Sequence, residues 1–288
     1  IAAGYEGDVP PPTFSEVAYG PHPRQVLDFW QAKPDTATPL VLVIHGGGWT
    51  GGSKERLIRF ADVRALLDAG ISVAAINYRL MKHARDVVPP VKAPMHDSAR
   101  ALQFLRSQAA DWRIDPSRVG AAGGSAGACT SLWLAYHDDL ADPQSADPVA
   151  RQSTRLQCAA VRAPQTTLDP RQMKAWIPNI TYGGHAFGHR KFQQFLAERE
   201  RILPWIQEYS PYTLASADDP PVLLLYGRAA AMGQRQADPT HSANFGIGLQ
   251  QRCRELGIGC EVITGGQLET EVQAVTDYLI EQLLGPQT

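Results

Sequence analysis

The stretch Gly123-Gly124-Ser125-Ala126-Gly127 has the form G-x-S-x-G, which holds a nucleophilic hydroxyl on a tight strand-to-helix turn. Small flanking residues let neighbouring backbone approach, and the turn lifts the serine Oγ out at a helix N-terminus, whose dipole favours developing negative charge. Such an elbow strains its central residue, so a positive φ is expected at Ser125. Earlier in the chain stands His45-Gly46-Gly47-Gly48-Trp49. Consecutive glycines there allow the amides of Gly47 and Gly48 to turn inward, and with the amide of Ala126 they would hold a tetrahedral oxyanion. An ordinary glycine-rich turn is the bland alternative for the serine motif. The second motif, at a compatible place, argues against it. His45 follows directly on a strand, a position that suits a loop-bracing hydrogen bond rather than general-base work.

The elements that must carry these motifs alternate. Pro39–Ile44 is a continuous apolar, β-branched run of the kind found in strands buried on both faces. Helical spacing over Ser53–Gly70, a strand at Ile71–Ile76, a helix over Asp97–Trp112, a strand at Arg118–Ala122 and a helix at Ala126–His137 follow. Strands are expected at Leu156–Val161, Val222–Tyr226 and Cys260–Thr264, with helices at Pro239–Leu256 and Glu271–Leu284. Strand–helix alternation with buried strands predicts an α/β fold with a mostly parallel central sheet covered by helices on both faces. Glu16–Tyr19 and Gln25–Trp30 flank Gly20-Pro21-His22-Pro23 and predict an antiparallel hairpin at the sheet edge. Residues 1–14, with Pro10-Pro11-Pro12, read as an extended arm, and residues 15–288 as one domain. Residues 163–218 break the rhythm with five prolines, a Gly183-Gly184 pair and the amphipathic stretch Lys191–Ile206. They are expected to form a cap-like insertion over the carboxyl end of the sheet.

Composition removes other classes. The 27 Lys+Arg and 29 Asp+Glu give a formal net charge of −2 without a basic tract, which argues against nucleic acid as a partner. No apolar run approaches the roughly 18 residues a membrane span needs. Cys129, Cys158, Cys253 and Cys260 show no C-x-x-C spacing, so neither a metal site nor a redox pair is expected, and no cofactor is implied. Cys129 and Cys158 are expected to be separate buried thiols, while Cys253 and Cys260 come within disulfide range if their connection folds back.

Beyond these readings the chain resembles the α/β-hydrolase superfamily, specifically its hormone-sensitive-lipase-like esterases and the feruloyl and acetyl-xylan esterase-like group. The matching residues are His45–Trp49 with Gly51-Gly52-Ser53, Asn77-Tyr78-Arg79-Leu80, Asp115–Val119, Gly123–Gly127, and Ser210-Pro211 before Asp219–Gly227. The resemblance implies a carboxylic-ester hydrolase acting on small or carbohydrate-linked acyl esters, in which Ser125 attacks the acyl carbon, a histidine activates it and an acid orients the histidine. With a chain that opens on Ile1 rather than Met, it also implies a secreted or periplasmic location. The family's acid lies in the loop after the strand ending at Gly227, where Asp238 stands; Asp238-Pro239 equally suits a helix N-cap.

The resemblance breaks at the histidine. The family carries it just after the last strand, which here reads Gly265–Glu271, and no histidine occurs beyond His241. His22, His83, His96 and His137 are read as solvated or structural. His185 and His189 lie in the insertion, within reach of the site from above. His241, three residues after Asp238, is the remaining candidate base. A site lacking its usual histidine predicts a weak esterase, or a non-catalytic pseudo-hydrolase that binds a ligand in the same pocket. A peptidase or acyl transferase on the same fold needs only a different pocket.

Overall fold

A computed structural model describes residues 4–285 except Glu6, Asp8 and Pro34. In chain order the elements are β1 (Phe14–Ala18), β2 (Val26–Trp30), β3 (Thr38–Ile44), α1 (Val63–Asp68), β4 (Ser72–Ile76), α2 (Lys92–Ser107), β5 (Ile114–Gly124) and α3 (Ala126–Tyr136). They continue with β6 (Cys158–Arg162), α4 (Pro170–Trp176), α5 (Phe192–Ala197), α6 (Leu203–Tyr209), α7 (Pro211–Leu214), β7 (Val222–Tyr226), α8 (Asn244–Leu256), β8 (Cys260–Thr264) and α9 (Leu268–Leu284).

The strands form an eight-stranded sheet in the order β1-β2-β4-β3-β5-β6-β7-β8. From β4 to β8 every pairing is parallel; the β1–β2 hairpin joins antiparallel at the edge. Side chains alternate along β3, so Leu40, Leu42 and Ile44 enter a core under α2, α3 and α8, while Val41 and Val43 enter the core under α1 and α9. Both faces are therefore dry, which is why β3 reads as one unbroken apolar run.

Strand order reverses direction between β3 and β5, since the chain goes from β3 outward to β4 and returns to the other side of β3. Ligands of open parallel sheets bind at such a switch point, outside the carboxyl ends. Register sets what meets there: Ile44 pairs with Gly123, which places His45–Gly48 beside Gly124 and Ser125.

Several elements differ from their expected bounds. The helix expected over Ser53–Gly70 is a 3-10 segment, Lys54–Arg59, followed by α1. Asp62 restarts the helix by accepting the amide of Ala65 at 3.1 Å, and Phe60 between them packs its ring on Gly124. α2 begins before Asp97, because Asp97 is not a cap: it takes the guanidinium of Arg79, at 2.7 Å for the shortest bond, and the amide of Gln25 at 2.9 Å. Lys191–Ile206 divides into α5 and α6. Residues of the insertion, among them Met173, Ile177, Phe195 and Tyr209, belong to the same core cluster as α3 and β5. The described part of the amino-terminal arm is held down: Trp30 Nε1 donates to Pro10 O at 2.7 Å and Tyr5 donates to Asp28 at 2.5 Å. Residues 1–3 of that arm lie outside the described residues.

Candidate active site

Ser125 follows β5 and immediately precedes α3, with φ 52° and ψ −118°. This is a sparsely populated conformation for a residue with a Cβ, held here by the structure around it. Its amide donates to Arg162 O at 2.9 Å, which ties the turn to β6. Any side chain at Gly127 would collide with the carbonyl oxygen of Ile44, so α3 can lie this close to β3 only with glycine there. As the first residue of α3, Ala126 has an amide without an intrahelical acceptor.

On the facing side, Gly47 at φ 110° lets its carbonyl accept from the amides of Thr50 and Gly51, closing the loop after β3. Gly46 and Gly47 line the cleft together with Ser125. Gly48 turns toward the insertion: its carbonyl accepts from His185 Nε2 at 3.1 Å. His45 braces this loop from below. Its Nδ1–H donates to Gly46 O at 2.8 Å and its ring stacks on Tyr78. Burial pushes its pKa down to about 4, so the imidazole is neutral. Arg24, from the hairpin turn, donates to Gly52 O at 2.9 Å and Tyr78 O at 2.9 Å.

Ser125 Oγ lies 3.0 Å from His241 Nε2. His241 Nδ1 lies 2.9 Å from Asp238 Oδ2. With the proton on Nδ1 donated to the carboxylate, Nε2 presents its lone pair to the serine hydroxyl. Asp238 Oδ1 accepts the amides of Thr240 and His241 at 3.2 and 3.3 Å, so the aspartate both caps the turn and meets the histidine. Burial opposes its charge, but the hydrogen bond and charge of His241 and these amides outweigh it and hold the carboxyl below the usual aspartate range. The turn displaces the start of α8 from the expected Pro239 to Asn244. Asp238 and His241 side chains remain 56% and 38% exposed, which screens their pairing.

The loop carrying both residues is held by the insertion. Asn179 Nδ2 donates to Gln236 O at 2.8 Å and Asn179 Oδ1 accepts from Gln236 N at 2.9 Å. Buried Gln165 donates to Thr240 O at 2.6 Å, and Trp176 O accepts from Gly233 N and from Asn244 Nδ2. None of these amide side chains is signalled by spacing or motif. After β8, where the resemblance implies a histidine, buried Glu271 instead receives Arg162 Nε at 2.7 Å as well as its NH2, while Arg162 NH1 donates to Arg59 O at 2.8 Å. Of the other histidines, His189 donates its amide to Gly184 O, and His96 packs on Trp133.

Two lobes meet at His241. The one containing Ser125 has about 450 Å³, with Phe60 and Leu268 as its apolar wall; the other, on the Asp238 side, has about 570 Å³. Among the described residues no group of three His, Cys, Asp or Glu is placed to hold a metal, and no helix is long and apolar enough to cross a membrane. All four cysteines are free thiols; Cys129, Cys158 and Cys253 are buried and Cys260 is partly so.

The sequence model of the BD-FAE family matches residues 27–237. The chain belongs to this family. The match ends short of Asp238 and His241. Among curated relatives of this BD-FAE member, the esterase LipQ of Mycobacterium tuberculosis is 31% identical over 151 residues, covering 51% of this chain and 34% of LipQ. The probable carboxylic ester hydrolase LipM of the same organism is 29% identical over 223 residues, covering 74% of this chain and 47% of LipM. The chain thus spans about a third to a half of these relatives. A truncated carbohydrate esterase from gut microbiota superposes with a TM-score of 0.71 at 19% identity, covering 94% of this chain and 96% of that one. A thermophilic esterase of Thermogutta terrifontis gives 0.66 at 20% identity, covering 90% and 87%. These neighbours share with this chain the α/β-hydrolase fold and its mostly parallel sheet.

Proposed function

We propose that this BD-FAE member is a serine-dependent carboxylic-ester hydrolase acting on small or carbohydrate-linked acyl esters. The observation that carries the reading is the continuous relay Ser125 Oγ, His241 Nε2 and Nδ1, Asp238 Oδ2 at the wall of a cleft. His241 takes the hydroxyl proton on Nε2 as Oγ attacks the acyl carbon, and Asp238 holds the imidazole in the required tautomer. The amides of Gly47 and Ala126, with Gly48 alongside, receive the oxyanion. His241 then returns the proton to the departing alkoxide, leaving an acyl-serine and an alcohol. Water enters, gives its proton to Nε2, attacks the acyl carbon and releases the acid, with the proton returning to Oγ.

A cleft of about 450 Å³ suits a small ester. The relatives named esterase and the neighbours named for carbohydrate ester chemistry favour acylated sugars as substrates. With a base at hydrogen-bond distance, the reading is of a working enzyme rather than an impaired one. The test is labelling by an aryl phosphonofluoridate together with hydrolysis of 4-nitrophenyl acetate. One equivalent of phosphonate should attach at Ser125, and Ser125→Ala should lose about 10⁴-fold or more in kcat. Unlabelled Ser125 with no turnover would overturn the proposal.

A further inference from the structure

The charge around the cleft runs against that of the molecule. The chain as a whole carries a formal −2, yet the two lobes that meet at His241 are lined by Arg56, Arg59, Arg162 and Arg228 against Asp238 and Glu271 alone. Both carboxylates are already committed. Asp238 serves His241, and Glu271 is buried under the guanidinium of Arg162. Arg56 and Arg228 are different. Each is exposed, each lines one lobe, and among the described residues neither guanidinium makes a hydrogen bond or ion pair.

An excess of cationic over anionic side chains along a cleft raises its potential for anions, and buried Phe60 backs it on the Ser125 side. A guanidinium fork matches the two oxygens of a carboxylate. We infer that the cleft selects esters whose acyl or alcohol part carries a carboxylate, with Arg56 and Arg228 as the recognising groups on its two sides. The inference rests on the hydrolase reading above. The two lobes give the two alternatives a physical meaning: with the ester carbonyl at Ser125, one substituent extends toward Arg56 and the other past His241 toward Arg228.

The experiment compares two matched pairs of esters. The first is 4-nitrophenyl propionate against the 4-nitrophenyl monoester of succinic acid, which places the anion in the acyl part. The second is phenyl acetate against 4-acetoxybenzoate, which places it in the alcohol part. In at least one pair kcat/KM should favour the anionic ester about tenfold at low ionic strength, and the advantage should shrink severalfold in 0.5 M sodium chloride. Arg56→Glu or Arg228→Glu should reverse the preference in that pair. If neutral esters are hydrolysed while neither pair favours the anion, this inference fails and the hydrolase reading stands. A preference that survives both salt and both substitutions also overturns it. If no ester is hydrolysed and Ser125 cannot be phosphonylated, the hydrolase reading itself fails and this inference falls with it.

Discussion

Two loops at the carboxyl edge of the sheet divide the chemistry unequally. The loop after β7, residues 227–243, is long and carries both Asp238 and His241. The loop after β8, residues 265–267, is short, glycine-rich and leads into Glu271, whose carboxylate is occupied by Arg162. The resemblance to α/β-hydrolases puts acid and base on separate loops; here a single turn carries both Asp238 and His241, the acid and base proposed above, and the other loop closes the wall. What matters to the serine is where Nε2 is delivered, and a three-residue offset within one turn delivers it when the turn itself is clamped. The clamp is Asn179 and Gln165 from the insertion.

The largest effect that would sharpen this contrast is expected for His241→Ala, which should lower kcat on activated esters by about 10³-fold or more. Adding Gln267→His to that variant, so that the β8 loop regains a histidine, should restore less than a tenth of the loss. Asp238 is tied to its own turn by the amides of Thr240 and His241 and cannot serve a new partner. Full recovery in the double variant would break the comparison, since the two loops would then be interchangeable.

A smaller effect is expected for Asp238→Asn. A fully buried triad aspartate is worth about 10⁴-fold in kcat, but a side chain left 56% exposed pairs through water-like dielectric, so a loss of about 10- to 100-fold is expected. A loss equal to that of His241→Ala would show that exposure does not weaken the pair. Smaller again, Asn179→Ala should lower kcat about 3- to 10-fold with KM little changed, because it loosens the loop without touching the cleft wall. Asn179→Asp, which keeps the acceptor for Gln236 N–H and loses the donor, should fall between. Equal activity in all three proteins would remove the insertion from its positioning role.

The smallest effect on rate, though visible in stability, concerns pH. His45 and His96 are held neutral by burial, each with its pKa pushed to about 4. An unfolded histidine protonates near 6.5, so between these values the unfolded chain binds more protons and folding stability must fall as pH is lowered from about 6.5 toward 4. Asp238 works in the same direction, since a depressed carboxyl loses its contribution as pH falls through its folded value, but its exposure makes its share small. Thermal unfolding should show Tm falling over this window while it stays level above pH 7; a flat profile would contradict the neutral, buried state of His45.

Much of the fold was legible because buried parallel strands announce themselves locally: Thr38–Ile44 and Val222–Tyr226 lie where apolar runs end in glycine, whereas Cys260–Thr264, at the sheet edge, is half-buried at most and carries Glu261. The serine elbow was legible because the G-x-S-x-G pattern itself signals a tight turn, although the close approaches that require its glycines, to Ile44 and Phe60, come from elements distant in sequence. Helix starts were less so. The expected helix Ser53–Gly70 is restarted at Asp62, Asp97 at the expected start of its helix binds Arg79 instead, and Asp238, readable as a cap, caps a turn while meeting His241. Side-chain hydrogen bonds to local amides compete with tertiary partners of similar strength, and only the fold supplies the partner.

The sequence by itself determined a strained serine between β5 and α3, a glycine loop beside it, and a β8 loop without histidine, because each is a matter of residue type at a fixed backbone position. The tertiary structure decided which imidazole reaches Ser125, since residues far apart in sequence meet only after the insertion has packed onto α3 and α8. It also decided that Glu271 of α9 closes the wall there by pairing with Arg162 of β6. Spacing along a chain fixes distances of a few residues; the 3.0 Å between Ser125 and His241 is set by the sheet order and by the amide clamps that hold a long loop against it.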